Sequence, residues 1–171
     1  MLGLPTWLVV LTGLLLNISS ALVTHFIIEG KDQQLNILSA QATRNNKEID
    51  LFWVQIEGME RKRETLYLLL NQGDLQPNVA QQFSILLETY LHQEISVAML
   101  ANIEQLDFKI NNYQDDLREK INAKYFLNLG LAELEIVLKK QISRLRNWSI
   151  FLQMIGLSLI LARDLSRKRL D

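Results

Sequence analysis

Residues 35–70 read LNILSAQATRNNKEIDLFWVQIEGMERKRETLYLLL. Within them Leu35, Leu38, Ala42, Asn45, Ile49, Phe52, Ile56, Met59, Arg63, Leu66 and Leu70 recur at spacings of three and four in alternation. That period keeps side chains on one seam of a helix and requires a second helix to cover it. No proline interrupts the run, and Gly58 falls off the seam. Asn45 and Arg63 place polar groups at seam positions, which costs stability and fixes register or partner number. Arg63 can also lay its apolar stem along the seam and carry its charge to the rim.

Upstream of the seam, Leu8 to Ile28 is a run of 21 residues without a formal charge. At 1.5 Å per residue it makes about 31 Å of helix, enough for a hydrocarbon core of about 30 Å. Trp7 stands at one end as an interfacial anchor and His25 near the other. Thr12, Gly13, Asn17, Ser19, Ser20 and Thr24 recur along the run, residue types that let membrane helices approach closely and bond across the contact. Ser19-Ser20-Ala21 resembles a cleavage site, but no Lys or Arg precedes the apolar run and the chain stays apolar beyond it. A retained anchor is therefore expected rather than a removed signal peptide.

Downstream, Asn71-Gln72-Gly73-Asp74-Leu75-Gln76-Pro77-Asn78 is the clearest break. Gly73 suits a helix C-cap and Pro77 the first turn of the next helix, so an antiparallel hairpin is expected. Val79, Phe83, Leu86, Tyr90, Val97 and Leu100 form a second stripe, continued after a phase slip at Ala101-Asn102 by Ile103, Leu106 and Ile110. Turn-prone Asn111-Asn112, followed by Asp115 and Asp116, and then Asn128-Leu129-Gly130 predict two further breaks. The rival is one unbroken helix from Ile103, because Leu117, Ile121, Tyr125, Leu134, Leu138, Ile142 and Leu145 nearly keep a seam. Trp148–Ala162 is a second apolar run, about 22 Å long as a helix. Bracketed by Trp148 and Arg163, it crosses a bilayer with local thinning.

The expected fold is thus all-α: a membrane-anchored antiparallel helical bundle or coiled coil between two transmembrane helices. Its segments are an N-terminal span (1–28), a bundle (29–147, with helices at 29–72, 77–111, 112–128 and 131–147), a C-terminal span (148–163) and a basic tail (164–171). Few breakers and no cysteine agree with this and exclude a disulfide framework. Between the apolar runs, fourteen Lys/Arg and seventeen Asp/Glu are interspersed without a basic face, which argues against nucleic acid. Arg163, Arg167, Lys168 and Arg169 favour cytoplasmic termini, whereas Lys139, Lys140, Arg144 and Arg146 pull the other way. A long intervening domain translocates largely regardless of charge, so the bundle is expected on the periplasmic side of a bacterial inner membrane.

No P-loop, dinucleotide-binding glycine pattern, nucleophile elbow or paired-histidine zinc motif occurs. Catalytic residues and cofactors are accordingly expected to be absent. Folding the hairpin about Leu75 brings Glu60 and Glu64 level with Glu88 and His92. Those are the ingredients of a bundle metal site, although the Glu-x-x-His spacing of di-iron bundles is missing and ordinary ion pairing is the expected use. The same fold places Arg63 opposite Leu87 with Glu88 as its nearest carboxylate, either as a register pair or as an anion-binding group.

The layout of span, helical bundle, span and basic tail resembles the input modules of bacterial membrane receptors, the chemoreceptor-type four-helix bundles. The nine residues Arg163–Asp171 after the second span depart from that plan, since a receptor's output domain would follow there. The expected function is a non-enzymatic integral membrane protein whose bundle mediates protein–protein association, with the bilayer and a homo-oligomer or larger membrane complex as partners. The alternative is a small sensor module binding a ligand or metal near the hairpin.

Overall fold

The computed structural model describes residues 5–167, and among them every regular element is helical. α1 (Thr6–Leu22) passes through a π-helical segment (Val23–Ile28) into α2 (Glu29–Asn71). α3 (Pro77–Leu91), the single turn α4 (Val97–Leu100) and α5 (Ile103–Arg167) follow. Two helical stretches, Trp7–Asn71 and Ile103–Ala162, are long and apolar enough to cross a membrane. Lys168 and Arg169 of the expected basic tail lie outside the described residues, as do the side chains of Arg163 and Arg167.

The chain divides into two compact units, Ala42–Asn128 and Met1–Gln41 with Leu129–Asp171. In the first, Met59, Leu66, Ala80, Leu87, Leu91, Ile95, Leu100, Leu106 and Ile110 form one buried cluster drawn from α2 through α5. Ile49 and Ile56 of α2 close a second cluster with Leu117 and Ile121 of α5. The seam on α2 thus buries as its spacing predicts. Asn45 sits on it and donates to Asn128 Oδ1 (2.8 Å), while Asn128 donates to Asn46 Oδ1 (2.7 Å). Lys124 joins Glu48 at 2.7 Å, so α2 and α5 pair antiparallel in this unit.

The break at residues 72–76 is present, with Gly73 at φ 130° and Pro77 in the first turn of α3. The face α3 buries is shifted from the expected stripe. Ala80, Ser84, Leu87 and Leu91 point inward, Val79, Phe83 and Tyr90 flank them, and Leu86 is exposed. Lys62 Nζ lies 3.7 Å from the Tyr90 ring centroid, which clamps that flank to α2.

Three expected boundaries are corrected. The helix expected over 77–111 stops at Leu91, because His92 adopts a left-handed conformation (φ 53°). The Glu88 carboxylate then accepts from the Ile95 N–H at 3.0 Å, and the Ser84 hydroxyl donates to the Ile95 carbonyl. The breaks expected at Asn111-Asn112 and Asn128–Gly130 do not occur, so 112–128, 131–147 and 148–163 are parts of one helix, α5. The asparagines spend their side chains across the helix pair, Asn111 on Arg63 and Asn128 on Asn45 and Asn46, instead of on local turns. Gly130 is simply tolerated, at about 1 kcal/mol relative to alanine.

In the second unit α1 and the C-terminal part of α5 meet through small residues. Gly13 and Gly156 pack backbone to backbone, and a Cβ on either would come within 2.7 Å of the other's carbonyl oxygen. The Ser20 hydroxyl donates to the Ser149 carbonyl (2.7 Å) and the Ser149 hydroxyl to the Ser20 carbonyl (3.0 Å). Lys31 Nζ donates to Gln141 Oε1 at 2.7 Å.

Replacing Gly130 by alanine is expected to stabilise the protein by up to about 1 kcal/mol, because no atom lies within 4 Å of the added methyl and the residue is mid-helix. Destabilisation in urea titrations would instead indicate a turn there. Leu66→Ala, at a fully buried position, is expected to lower unfolding stability by about 2–5 kcal/mol in the same measurement.

Candidate functional site

The densest polar constellation lies in the unit Ala42–Asn128, where the last turns of α2 face the first turns of α5. Arg63, Glu60 and Tyr67 project from α2 at helical spacing, and Asp107, Asn111 and Gln114 answer from α5. Arg63 Nη2 approaches Glu60 Oε2 at 2.5 Å, and its Nη1 donates to Asn111 Oδ1 at 3.1 Å. The other Glu60 oxygen accepts from Gln114 Nε2 at 2.8 Å. The Tyr67 hydroxyl donates to Asp107 Oδ1, an atom 3.9 Å from the Arg63 guanidinium. Gln114 is only 1% exposed, between the buried Ile110 and Leu117. Its amide therefore depends on Glu60 for a partner.

The electrostatics favour a neutral tyrosine. Burial pushes the Tyr67 hydroxyl up to about 12, and the bond to Asp107 and that carboxylate's charge push the same way. Burial also raises Tyr113, one turn further along α5. A proton held on Tyr67 keeps the donor that Asp107 accepts.

Of the residues singled out from the sequence, Arg63 and Glu60 belong to this network. Glu88 does not reach Arg63: its carboxylate holds the Ile95 N–H, and Arg63 turns to α5. The expected Arg63–Glu88 pair is thereby replaced by Arg63 with Glu60 and Asp107. Glu64 is exposed on α2, and His92 is exposed at the left-handed end of α3. The four candidates Glu60, Glu64, Glu88 and His92 do not converge, and no group of three acidic or histidine side chains suited to a metal is found among the described residues. Tyr67, Asp107 and Gln114 were missed by seam reading. The available signal was Gln114 itself, standing four residues after Ile110 and three before Leu117, where an apolar side chain would ordinarily sit.

Chemically the network is a register lock. Arg63 is bonded to the Glu60 carboxylate and the Asn111 amide, with the Asp107 carboxylate 3.9 Å away, so an anionic ligand would have to displace bonded groups and approach two carboxylates. His25, the remaining histidine, is exposed on the π segment, with Nδ1 3.0 Å from Glu29 Oε2.

Two measurements check this assignment. Arg63→Met is expected to cost about 1–3 kcal/mol by leaving Glu60 and Asp107 without their cation, and Arg63→Lys to recover only part of it. Tyr67 keeps its proton better in the folded chain than in the unfolded chain, so its contribution is complete below about pH 10 and is lost as pH rises from about 10 to 12. Tyrosinate absorbance should accordingly show a late-titrating hydroxyl that Tyr67→Phe removes, and a wild-type titration with every tyrosine near pH 10 would refute the assignment.

No family model, no curated protein and no solved structure matches this chain.

Proposed function

We propose that the chain is a non-enzymatic integral membrane protein whose helical bundle mediates association, with further copies of itself or within a larger membrane complex. The observation that carries this is apolar surface on the charged part of the helices. In the unit Ala42–Asn128, Leu51 and Val54 of α2 and Phe126 of α5, the last 73% exposed, face outward. In the other unit Ile37, Leu129 and Ile136 do the same, Ile136 at 66% exposure. Large apolar side chains in such number on a charged helix favour a protein partner.

The membrane assignment is supported by the two long apolar helices and by what their apolar parts expose. Leu11, Leu14, Leu15 and Ile18 on α1, and Ile150, Phe151, Met154 and Leu157 on α5, are all open to the surroundings. Lipid is the solvent that suits them, and the reciprocal Ser20–Ser149 bonds and the Gly13–Gly156 approach are contacts typical of membrane helices. The bundle is assigned to the periplasmic side of a bacterial inner membrane, an orientation supported by the basic residues at 163–169 and opposed by Lys139, Lys140, Arg144 and Arg146.

A sensor role is the second reading. A cleft of about 650 Å³ beside the loop after α3, lined by Gln93, Met99, Gln105, Phe108 and Asn112, is where a ligand would sit.

Alkaline carbonate washing of native membranes is expected to leave the full chain in the pellet. Detergent-purified protein is expected to run as an oligomer or to bring subunits with it, and Phe126→Glu or Ile136→Glu to weaken that association at least tenfold. A monomer with nothing co-purifying would rule association out. Stabilisation of the full chain by a small molecule, lost in Phe108→Ala, would favour the sensor instead.

A further inference from the structure

In the unit Met1–Gln41 with Leu129–Asp171, the π segment forms one wall of a cleft of about 580 Å³. Its volume falls within the roughly 300–1,000 Å³ of small-ligand sites. The cleft crosses a boundary of polarity. At its base are Ser20 and Thr24, whose hydroxyls meet the Ser149 hydroxyl at 2.7 Å each, with Asn17 and Gln153 also in the lining, next to helix surface that exposes Leu14, Ile18, Ile150 and Met154. At its rim are Glu29, Asp32 and Arg146, with His25 beside Glu29. The π turn, in which the Glu29 N–H bonds back to the Thr24 carbonyl, joins base to rim. Such turns recur at functional sites.

Of the rim charges, Glu29 is held by His25, whereas Arg146 and Asp32 are only loosely satisfied by each other. Arg146 Nη2 stands 3.7 Å from Asp32 Oδ2, beyond hydrogen-bonding distance. The guanidinium keeps its donors for a second anion, and the Asp32 carboxylate keeps lone pairs for a second cation. Nearby Lys31 turns its ammonium to Gln141. Arginine is suited to a phosphodiester because its donors form a planar fork. Glu29 and Asp32 accept hydrogen bonds and donate none, which suits a primary ammonium carrying three N–H groups.

We propose that this cleft holds the headgroup of a phospholipid bearing a primary amine, its phosphate on Arg146 and its ammonium between Asp32 and Glu29. The acyl chains leave along the exposed apolar faces of α1 and α5. A quaternary ammonium presents no N–H to these carboxylates, and a headgroup without a cation leaves them unneutralised. This inference rests on the membrane assignment above, because only a bilayer supplies such a lipid beside these helices.

The test uses the full chain, purified in a mild detergent and titrated with phosphatidylethanolamine, phosphatidylcholine or phosphatidylglycerol carrying identical chains, with bound lipid counted by native mass spectrometry. Phosphatidylethanolamine is expected to bind at least tenfold more tightly than either of the others. Asp32→Asn should erase its advantage over phosphatidylcholine, and Arg146→Gln should weaken all three. Both substituted side chains are exposed, and unchanged helical circular dichroism would show that the variants fold. Soluble phosphoethanolamine is the control for the source of the headgroup: competition at equal concentration would overturn the lipid assignment in favour of a free ligand. Equal binding of phosphatidylethanolamine and phosphatidylcholine, or preference for phosphatidylglycerol, would overturn the proposal while carbonate resistance left the membrane assignment standing. Release of the chain by carbonate would remove both.

Discussion

The antiparallel pairing of α2 with α5 is the constraint on which the unit Ala42–Asn128 depends. Its apolar rungs, Ile49 and Ile56 against Leu117 and Ile121, would tolerate a slip of one heptad, since leucine and isoleucine are interchangeable at that resolution. The polar rungs would not. A slip of seven residues moves one helix about 10 Å along the other. Asn45 would then lose Asn128, Glu48 would lose Lys124, and the Arg63–Asn111 and Tyr67–Asp107 contacts would break together. A lost partner leaves a polar group unsatisfied, at about 1–3 kcal/mol where that group is buried, as Asn45 is, and less where water replaces the partner, as at the exposed Asn111. One register is therefore separated from its neighbours by several such costs, although no single contact contributes much net stability.

That division of labour explains which features were legible in the sequence. The seam from Leu35 to Leu70 was readable because its apolar members hold the 3.5-residue period and its two exceptions, Asn45 and Arg63, fall in phase. The matching seam on α5 was harder. It runs from Ile121 through Lys124, Asn128, Leu131 and Glu135 to Leu138, while the apolar Tyr125 and Leu134 point outward. Apolarity alone follows the wrong face there, because inward positions carry polar groups, Lys124 and Asn128 with partners some eighty residues away on α2 and Glu135 with Lys139 one turn on. The same long-range pairing made Asn111 and Asn128 look like turn residues. The interruption after Leu91 was illegible for the opposite reason. No glycine or proline marks it; a histidine takes the left-handed conformation and a glutamate on the preceding helix caps the loop. Of the network around Arg63, two members were visible as charges on one helix. The partners on α5 depended on register, which periodicity does not fix.

The small-residue contact between α1 and α5 follows a different rule. In water, glycine and serine contribute little by burial, and a face built from Gly13, Ser20, Ser149 and Gly156 would be a poor core. Among lipid chains the balance changes, because apolar side chains gain nothing by leaving lipid for one another. Close backbone approach and satisfied hydroxyls are then what distinguish a helix contact from a lipid contact. The contact itself is small and polar, with leucine, isoleucine and phenylalanine outside it, while Ile28, Leu131 and Ile142 of the same unit are buried in the ordinary way. Such a contact is what the proposed bilayer setting would call for, whereas length and hydropathy also fit a buried soluble helix.

The same contact bears on where the proposed spans would end. The Ser20–Ser149 contact sets Trp148 and Ser149 level with Ser20, so the apolar stretch shared by the two helices runs from about Trp7 to Thr24 on α1, shorter than the charge-free run to Ile28. The residues left over are those of the π segment, with His25, Glu29 and Asp32 on one side and Arg146 on the other. Apolar Phe26 and Ile27 belong to this shorter-range boundary zone, where an aromatic ring and a polar tip can both be accommodated. The wide helical turn at that level carries the helix from an apolar pattern to a charged one without a loop. The backbone stays hydrogen-bonded through this segment, the Glu29 N–H on the Thr24 carbonyl, as the proposed bilayer boundary would require, since a true break there would leave unpaired N–H and C=O groups facing hydrocarbon.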